Sequence, residues 1–186
     1  MSDSAFPSPA AFALSQALME IDEHIAPAGW DTPVRVFALV RTAAALASDT
    51  SMAALLSDKA KDEAKNNEWS LLSIEQENLP ASTDLADLLA QIAWPEEVDG
   101  MAMSTETTIL PPEAQKEAAA ITDPTELAQF AANHPGRDEM RVVAGVLRSG
   151  ESWCVGRLRS HDDPDDLLMS RDLAPSLLEM MAQTFE

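Results

Sequence analysis

The chain has 186 residues, a length that fits one domain burying about 70% of its unfolded surface without disulfide or metal staples. Thirty-two acidic residues face 12 basic ones, a net charge of −20, which repels phosphate backbones and argues against nucleic acid while favouring a basic protein partner. A single cysteine excludes a disulfide framework, and neither a basic leader nor an apolar run of about 20 residues is present, so the expectation is a cytoplasmic protein with no membrane partner.

Met1–Pro7 has no periodicity and reads as a flexible terminus ahead of one folded unit over residues 8–186. Ser8-Pro9 is an N-cap followed by a first-position proline, and Leu14, Leu18, Ile21 and Ile25 recur at helical spacing. That stripe predicts a helix over Pro9–Ala26, with Glu20, Asp22 and Glu23 turned to solvent. After the Gly29–Pro33 turn, Val34–Arg41 is apolar on both sides, as in a strand buried from two faces. The Ala-rich run from Thr42 reads as short helical pieces, and residues 57–68, which hold three of the four lysines, read as an exposed loop or solvated helix end.

Ser70–Glu77 predicts a second strand, and Ser82 or Thr83 caps a helix striped by Leu85, Leu88, Leu89 and Ile92. Met101, Met103, Thr105, Thr107 and Ile109 alternate with mostly polar residues, which predicts a third strand with one wet face. Asp123-Pro124-Thr125-Glu126 opens a helix whose buried stripe is Leu127, Phe130, Ala131 and His134, with His134 at its C-terminal end.

Ser149-Gly150 reads as a two-residue hairpin turn. Counting outward pairs Arg148 with Glu151, Val146 with Trp153, Ala144 with Val155, Val142 with Arg157 and Met140 with Arg159. Gly145 and Gly156 then share the opposite face and leave a trough for a helix. Cys154 within the second strand reads as a small buried hydrophobe. A last helix capped by Asp172, with Pro175 in its first turn, carries Leu173, Leu177, Met180, Met181 and Phe185.

Six of the twelve basic residues are arginines at or beyond Arg137. Arginine presents a rigid fork of donors matched to carboxylate or phosphate. Arg141, Arg157 and Arg159, with His161 at the edge, are therefore candidate ligands for a small anion, or else partners of the neighbouring acids. Asp162, Asp163, Asp165 and Asp166 are weak metal candidates, because Pro164 interrupts them and their spacing lacks the tight glycine turn of a calcium loop. No nucleophile, zinc or phosphate-loop pattern is present, so no catalytic residue and no cofactor is assigned.

The segments GWDTPVRVFALV, IAWPEEVDG, LPPEA, HPGRDEMRVVAGVLRSG, WCVGRLRSHDDPDDLL and DLAPSLLEMM resemble a family of uncharacterised actinobacterial proteins of about this length. That resemblance implies a single cytoplasmic domain and supplies no catalytic residues. The order of elements also resembles that of type III secretion chaperones, which implies an acidic, dimeric protein that binds partner segments without chemistry. The expectation is an α+β domain whose five-stranded, largely antiparallel sheet is covered by the first, fourth and last major helices. The leading functional expectation is a non-catalytic, acidic interaction or regulatory protein, possible as a homodimer; the alternative is a small-anion binding protein or enzyme.

Overall fold

The computed structural model describes residues 8–48, 51, 54–82 and 84–186; the flexible terminus expected at Met1–Pro7, and Thr83 as a cap, lie outside them. The elements are α1 (Pro9–Ile25), β1 (Arg35–Arg41), α2 (Thr42–Ser48), α3 (Asp58–Asn66), β2 (Leu71–Glu75), α4 (Leu85–Ala90), β3 (Gly100–Ile109), α5 (Pro112–Ala119), α6 (Pro124–Asn133), β4 (Asp138–Leu147), β5 (Ser152–Leu158), β6 (Leu168–Met169) and α7 (Pro175–Gln183). This is an α+β fold built on one open antiparallel sheet. The sheet has six strands among the described residues, in the order β2-β1-β3-β4-β5-β6, rather than the five expected. The extra strand is Leu168-Met169, a two-residue edge just beyond the Asp run and too short to show a period of its own.

Strand alternation sends the two halves of each strand's side chains into separate cores. On one face Phe37, Leu39, Ala102, Val143 and Val155 pack under α1, through Leu14, Leu18, Ile21 and Ile25. On the other, Val36, Met101, Met103, Val142, Ala144 and Cys154 pack against Leu177, Leu178 and Met181 of α7 and Leu88 and Leu89 of α4. Residues 100–104 of β3 are therefore buried on both sides, not half wet as the alternation suggested, because β3 lies between β1 and β4 under helices on each face. The helix α6 touches β3 but contributes no residue to either buried core. None of its residues is fully buried, and Leu127 of the expected stripe is exposed.

The hairpin differs from the expected register by one residue. Leu147 N–H donates to Glu151 O, and Gly150 N–H donates back to Leu147 O. The loop thus contains Arg148, Ser149 and Gly150, with Gly150 at φ +109°, a three-residue turn needing a positive φ at its last position. A one-residue slip exchanges the faces of one strand relative to the other. Arg141 consequently lies opposite Arg157, and Val142 opposite Gly156. Gly145 and Gly156 lie on different faces: a Cβ at Gly145 would meet Leu18 and Leu14 of α1, and one at Gly156 would meet Met140 and Leu173. Each glycine admits a different covering segment.

The helix ends follow their local chemistry. Ser8 caps α1 by accepting Ala11 N–H at 3.1 Å, and Asp123 caps α6 through Thr125 and Glu126 N–H. Ser57 caps α3, so the lysine-rich run is a solvated helix. Asp84, not Ser82, caps α4, and Asp172 lies within a 3₁₀ turn at Arg171–Leu173 and does not cap α7, whose N-cap is Ala174 and first residue Pro175. The helix α5 was not anticipated, since Leu110-Pro111-Pro112 reads as a stop although Pro112 serves as a first-turn residue.

A Cβ at Gly100 would stand 2.5 Å from Val146 O and 2.6 Å from Leu147 Cδ2. Because the first obstacle is backbone of the central β3–β4 pair, Gly100→Ala is expected to cost about 1–3 kcal/mol. Urea unfolding checks it, as a lowered midpoint with unchanged denaturant slope.

Candidate functional site

The arginine group forms where α1, the Gly29–Thr32 turn and the β4–β5 hairpin meet. Asp22 follows Leu18 by one helical turn, so it falls on the buried stripe of α1 and not toward solvent as expected; its exposure is 1%. Directly beneath, the hairpin register brings Arg141 and Arg157 side by side, at 1% and 3% exposure. Arg157 Nη2 donates to Asp22 Oδ2 at 2.6 Å, and its Nε donates to the same oxygen at 3.1 Å. Its remaining terminal nitrogen donates to Asp162 Oδ1 at 3.0 Å. Arg141 Nε lies 3.6 Å from Asp22 Oδ1 without a hydrogen bond, while Arg141 Nη1 donates to Gly29 O at 2.9 Å.

Trp30 ties the group to the surface. Its ring lies 5.0 Å from the Arg141 guanidinium and 5.6 Å from that of Arg159, and its indole N–H donates to Asp162 Oδ2 at 3.1 Å. Arg159 spans Asp31 with both terminal nitrogens at 3.1 Å and also donates to Glu139. The turn itself is held by Glu106, which accepts from Asp31 and Thr32 N–H, and it uses positive φ at Gly29 (79°) and Asp31 (61°). The Gly29-Trp30-Asp31 segment is therefore a cap over the arginines.

Of the candidate residues, Arg141 and Arg157 share one buried carboxylate, and Arg159 joins them through Trp30. His161 stands apart: it is exposed, its Nδ1 is 3.0 Å from Ser160 Oγ, and Ser160 in turn donates to Asp138. The hairpin-end acids do not converge. Asp162 is engaged by Trp30 and Arg157, Asp163 accepts Asp165 N–H at 2.9 Å in a local turn, and among the described residues no group of three or more His, Cys, Asp or Glu is arranged to hold a metal. Asp22, Trp30 and Asp31 were missed in the sequence. A signal for Asp22 did exist, since it lies four residues after Leu18 and next to Ile21.

The electrostatics match this geometry. Hydrogen bonding to Asp22 raises the Arg157 pKa above its ordinary value, so this buried guanidinium stays charged and needs its counter-ion. Burial pushes the Cys154 thiol up to about 11, which leaves it protonated and unreactive at neutral pH. Asp162 is held below the usual carboxylate range, chiefly by the Trp30 indole and then by Arg157. The Ser160 hydroxyl does the same for Asp138. What this arrangement does chemically is neutralise charge: each donor fork already meets an acid or a carbonyl.

Removing the carboxylate with Asp22→Asn leaves buried Arg141 without a counter-charge and buried Arg157 with only the half-exposed Asp162. The expected loss is about 3–5 kcal/mol, read from urea or thermal unfolding. A depressed carboxylate pKa contributes stability that is complete above the unfolded value, about 3.9 for Asp, and is lost as pH falls through the lower native value. Stability is thus expected to hold from neutral pH down to about pH 4 and then decline, with Asp162→Asn less stable at neutrality and showing a shallower acid decline. Unfolding midpoints measured across that range check both statements.

Among the described residues no helix is long and apolar enough to cross a membrane. No curated protein and no solved structure matches the chain. The family model described as PPA1309-like protein matches residues 14–186, a span containing Asp22, the Trp30 turn and the whole hairpin. The chain belongs to the PPA1309-like protein family.

Proposed function

We propose that this is a non-catalytic, acidic interaction or regulatory protein that captures an extended basic segment of a protein partner along the free edge of β6. The observation that carries this reading is an open strand edge beside unspent negative charge. Ser170 N–H donates to Cys154 O, so by strand alternation the N–H and C=O of Met169 point away from β5, toward a further strand. Leu168 and Met169 are 39% and 41% exposed. Asp163, Asp165 and Asp166 precede them and take part in no ion pair among the described residues.

The hairpin arginines support the same reading by being occupied. A small anion at Arg141, Arg157, Arg159 and His161, the alternative function, has to displace Asp22, Asp31, Glu139 and Asp162, two of them from direct bonds to nearly buried Arg157. An acidic protein that binds partner segments without chemistry also fits the secretion-chaperone-like element order. With α2 to α5 taken as insertions, the order runs helix, three strands, helix, strands, helix, an analogy of element order alone. A homodimer would use the other free edge, β2, where Ile74 is exposed.

Binding of a fluorescent, lysine-rich extended peptide tests the proposal. Affinity should fall with salt, the combined Asp163→Asn, Asp165→Asn and Asp166→Asn variant should bind about tenfold more weakly at low ionic strength, and Met169→Pro, which removes the outward N–H, should weaken it as well. Equal binding by wild type and both variants defeats the β6 reading.

A further inference from the structure

A second site lies at the other end of the α1 face, where the sequence offered no motif. A cavity of about 420 Å³ is lined by Ala10, Arg41, Trp69, Leu71, Asp99 and Leu147, together with the hairpin turn. That size falls in the roughly 300–1,000 Å³ range of small-molecule sites. Its wall is largely apolar, formed by Trp69, Leu71 and Leu147, which belong to the margin of the α1 core.

Two charged groups in this cavity are held in place with polar atoms left unpartnered among the described residues. The Arg41 guanidinium lies 4.4 Å from the centre of the Trp69 ring, and its Nε donates to Glu68 O at 3.1 Å. Stacking and that one bond orient the fork while leaving both terminal nitrogens without a partner among the described residues. Asp99 Oδ2 accepts Arg41 backbone N–H at 2.8 Å, and Asp99 O accepts Arg148 N–H at 2.7 Å. Asp99 Oδ1 accepts nothing among the described residues, and Asp99 makes no ion pair with Arg41. Arg148 itself turns away, donating to Val98 O and Pro95 O and covering Phe185.

Among the described residues Arg35, Arg141, Arg157 and Arg159 are ion-paired and Arg148 spends its fork on two carbonyls, whereas Arg41 is stacked and oriented with both terminal nitrogens left over. We infer that this cavity binds a free α-amino acid with an apolar side chain. Arg41 takes its carboxylate in the open fork, Asp99 Oδ1 takes its ammonium, and the side chain lies against Trp69, Leu71 and Leu147. A simple carboxylate places like charge beside Asp99 and enters the field of a strongly negative protein. A zwitterion adds no net charge and satisfies both groups at once.

Calorimetric titration and thermal unfolding of the full chain test this with leucine and phenylalanine, beside 4-methylpentanoate, which lacks the ammonium, and 3-methylbutylamine, which lacks the carboxylate. Leucine or phenylalanine should bind saturably and raise the melting temperature, and each truncated analogue should bind about tenfold more weakly or worse. Arg41→Gln should abolish leucine binding. Asp99→Asn, which keeps an acceptor for the Arg41 N–H, should weaken leucine while leaving 4-methylpentanoate no weaker. If Arg41→Gln does not fold, Arg41→Lys, lacking the planar fork, should still lose most leucine affinity. The proposal is overturned if neither amino acid binds at millimolar concentration, or if leucine binds wild type and the folded variants alike.

Discussion

One buried carboxylate, Asp22, fixes the relation between the first helix and the last long hairpin. Two guanidinium groups and a carboxylate lose most of their hydration in this fold, a cost that only close pairing offsets. Asp22 must therefore lie over Arg141 and Arg157 together, which requires the hairpin register that places them opposite each other and the α1 position set by Leu14 and Leu18 against Gly145. A slip of one residue in the hairpin, or one turn in the helix, buries a charge without its partner. The ion group thus acts as a key for register, whereas the surrounding apolar contacts are permissive about it.

The two faces of the sheet have different characters as a result. The α7 face is apolar and rich in methionine, with Met101, Met103, Met140 and Met181 filling it, adaptable packing that tolerates small shifts. The α1 face is polar at both ends: the arginine group closes one, and Arg41 with Asp99 opens the other onto a cavity. Four of the eight arginines, Arg35, Arg141, Arg157 and Arg159, are spent on ion pairs between elements, and with acids exceeding bases by 20 the outer surface carries the excess of acids. That division gives the edge at β6 its electrostatic character.

Much of the architecture was legible, and the failures have physical causes. Ser8-Pro9 and Asp123-Pro124 located two helix starts because capping is a local interaction. The strands at Val34, Ser70, Gly100 and the hairpin were visible from β-branched and alternating patterns. The hairpin register was not, because Ser149-Gly150 is compatible with a two- or three-residue loop and only pairing with β3 and burial of Arg141 decide between them. Arg141, Arg157 and Arg159 were recognised as a group. Their counter-ions Asp22 and Asp31 were not, since both lie more than a hundred positions from the arginine they meet and no local rule connects them. Leu168-Met169 is too short for any periodicity, and Arg41 with Asp99 carries no motif.

The distance along the chain between Asp22 and Arg157 is 135 residues, and it has a consequence for synthesis. At about 5–20 residues per second, α1 leaves the ribosome roughly 7–27 s before the strand that supplies its counter-charge. Through that interval the helix carries an apolar stripe interrupted by an ionised carboxylate. The carboxylate keeps the stripe hydrated and opposes its burial in any wrong contact that offers no cation. The same group that locks the finished fold therefore guards the unfinished one, delaying commitment of α1 until β5 has been made.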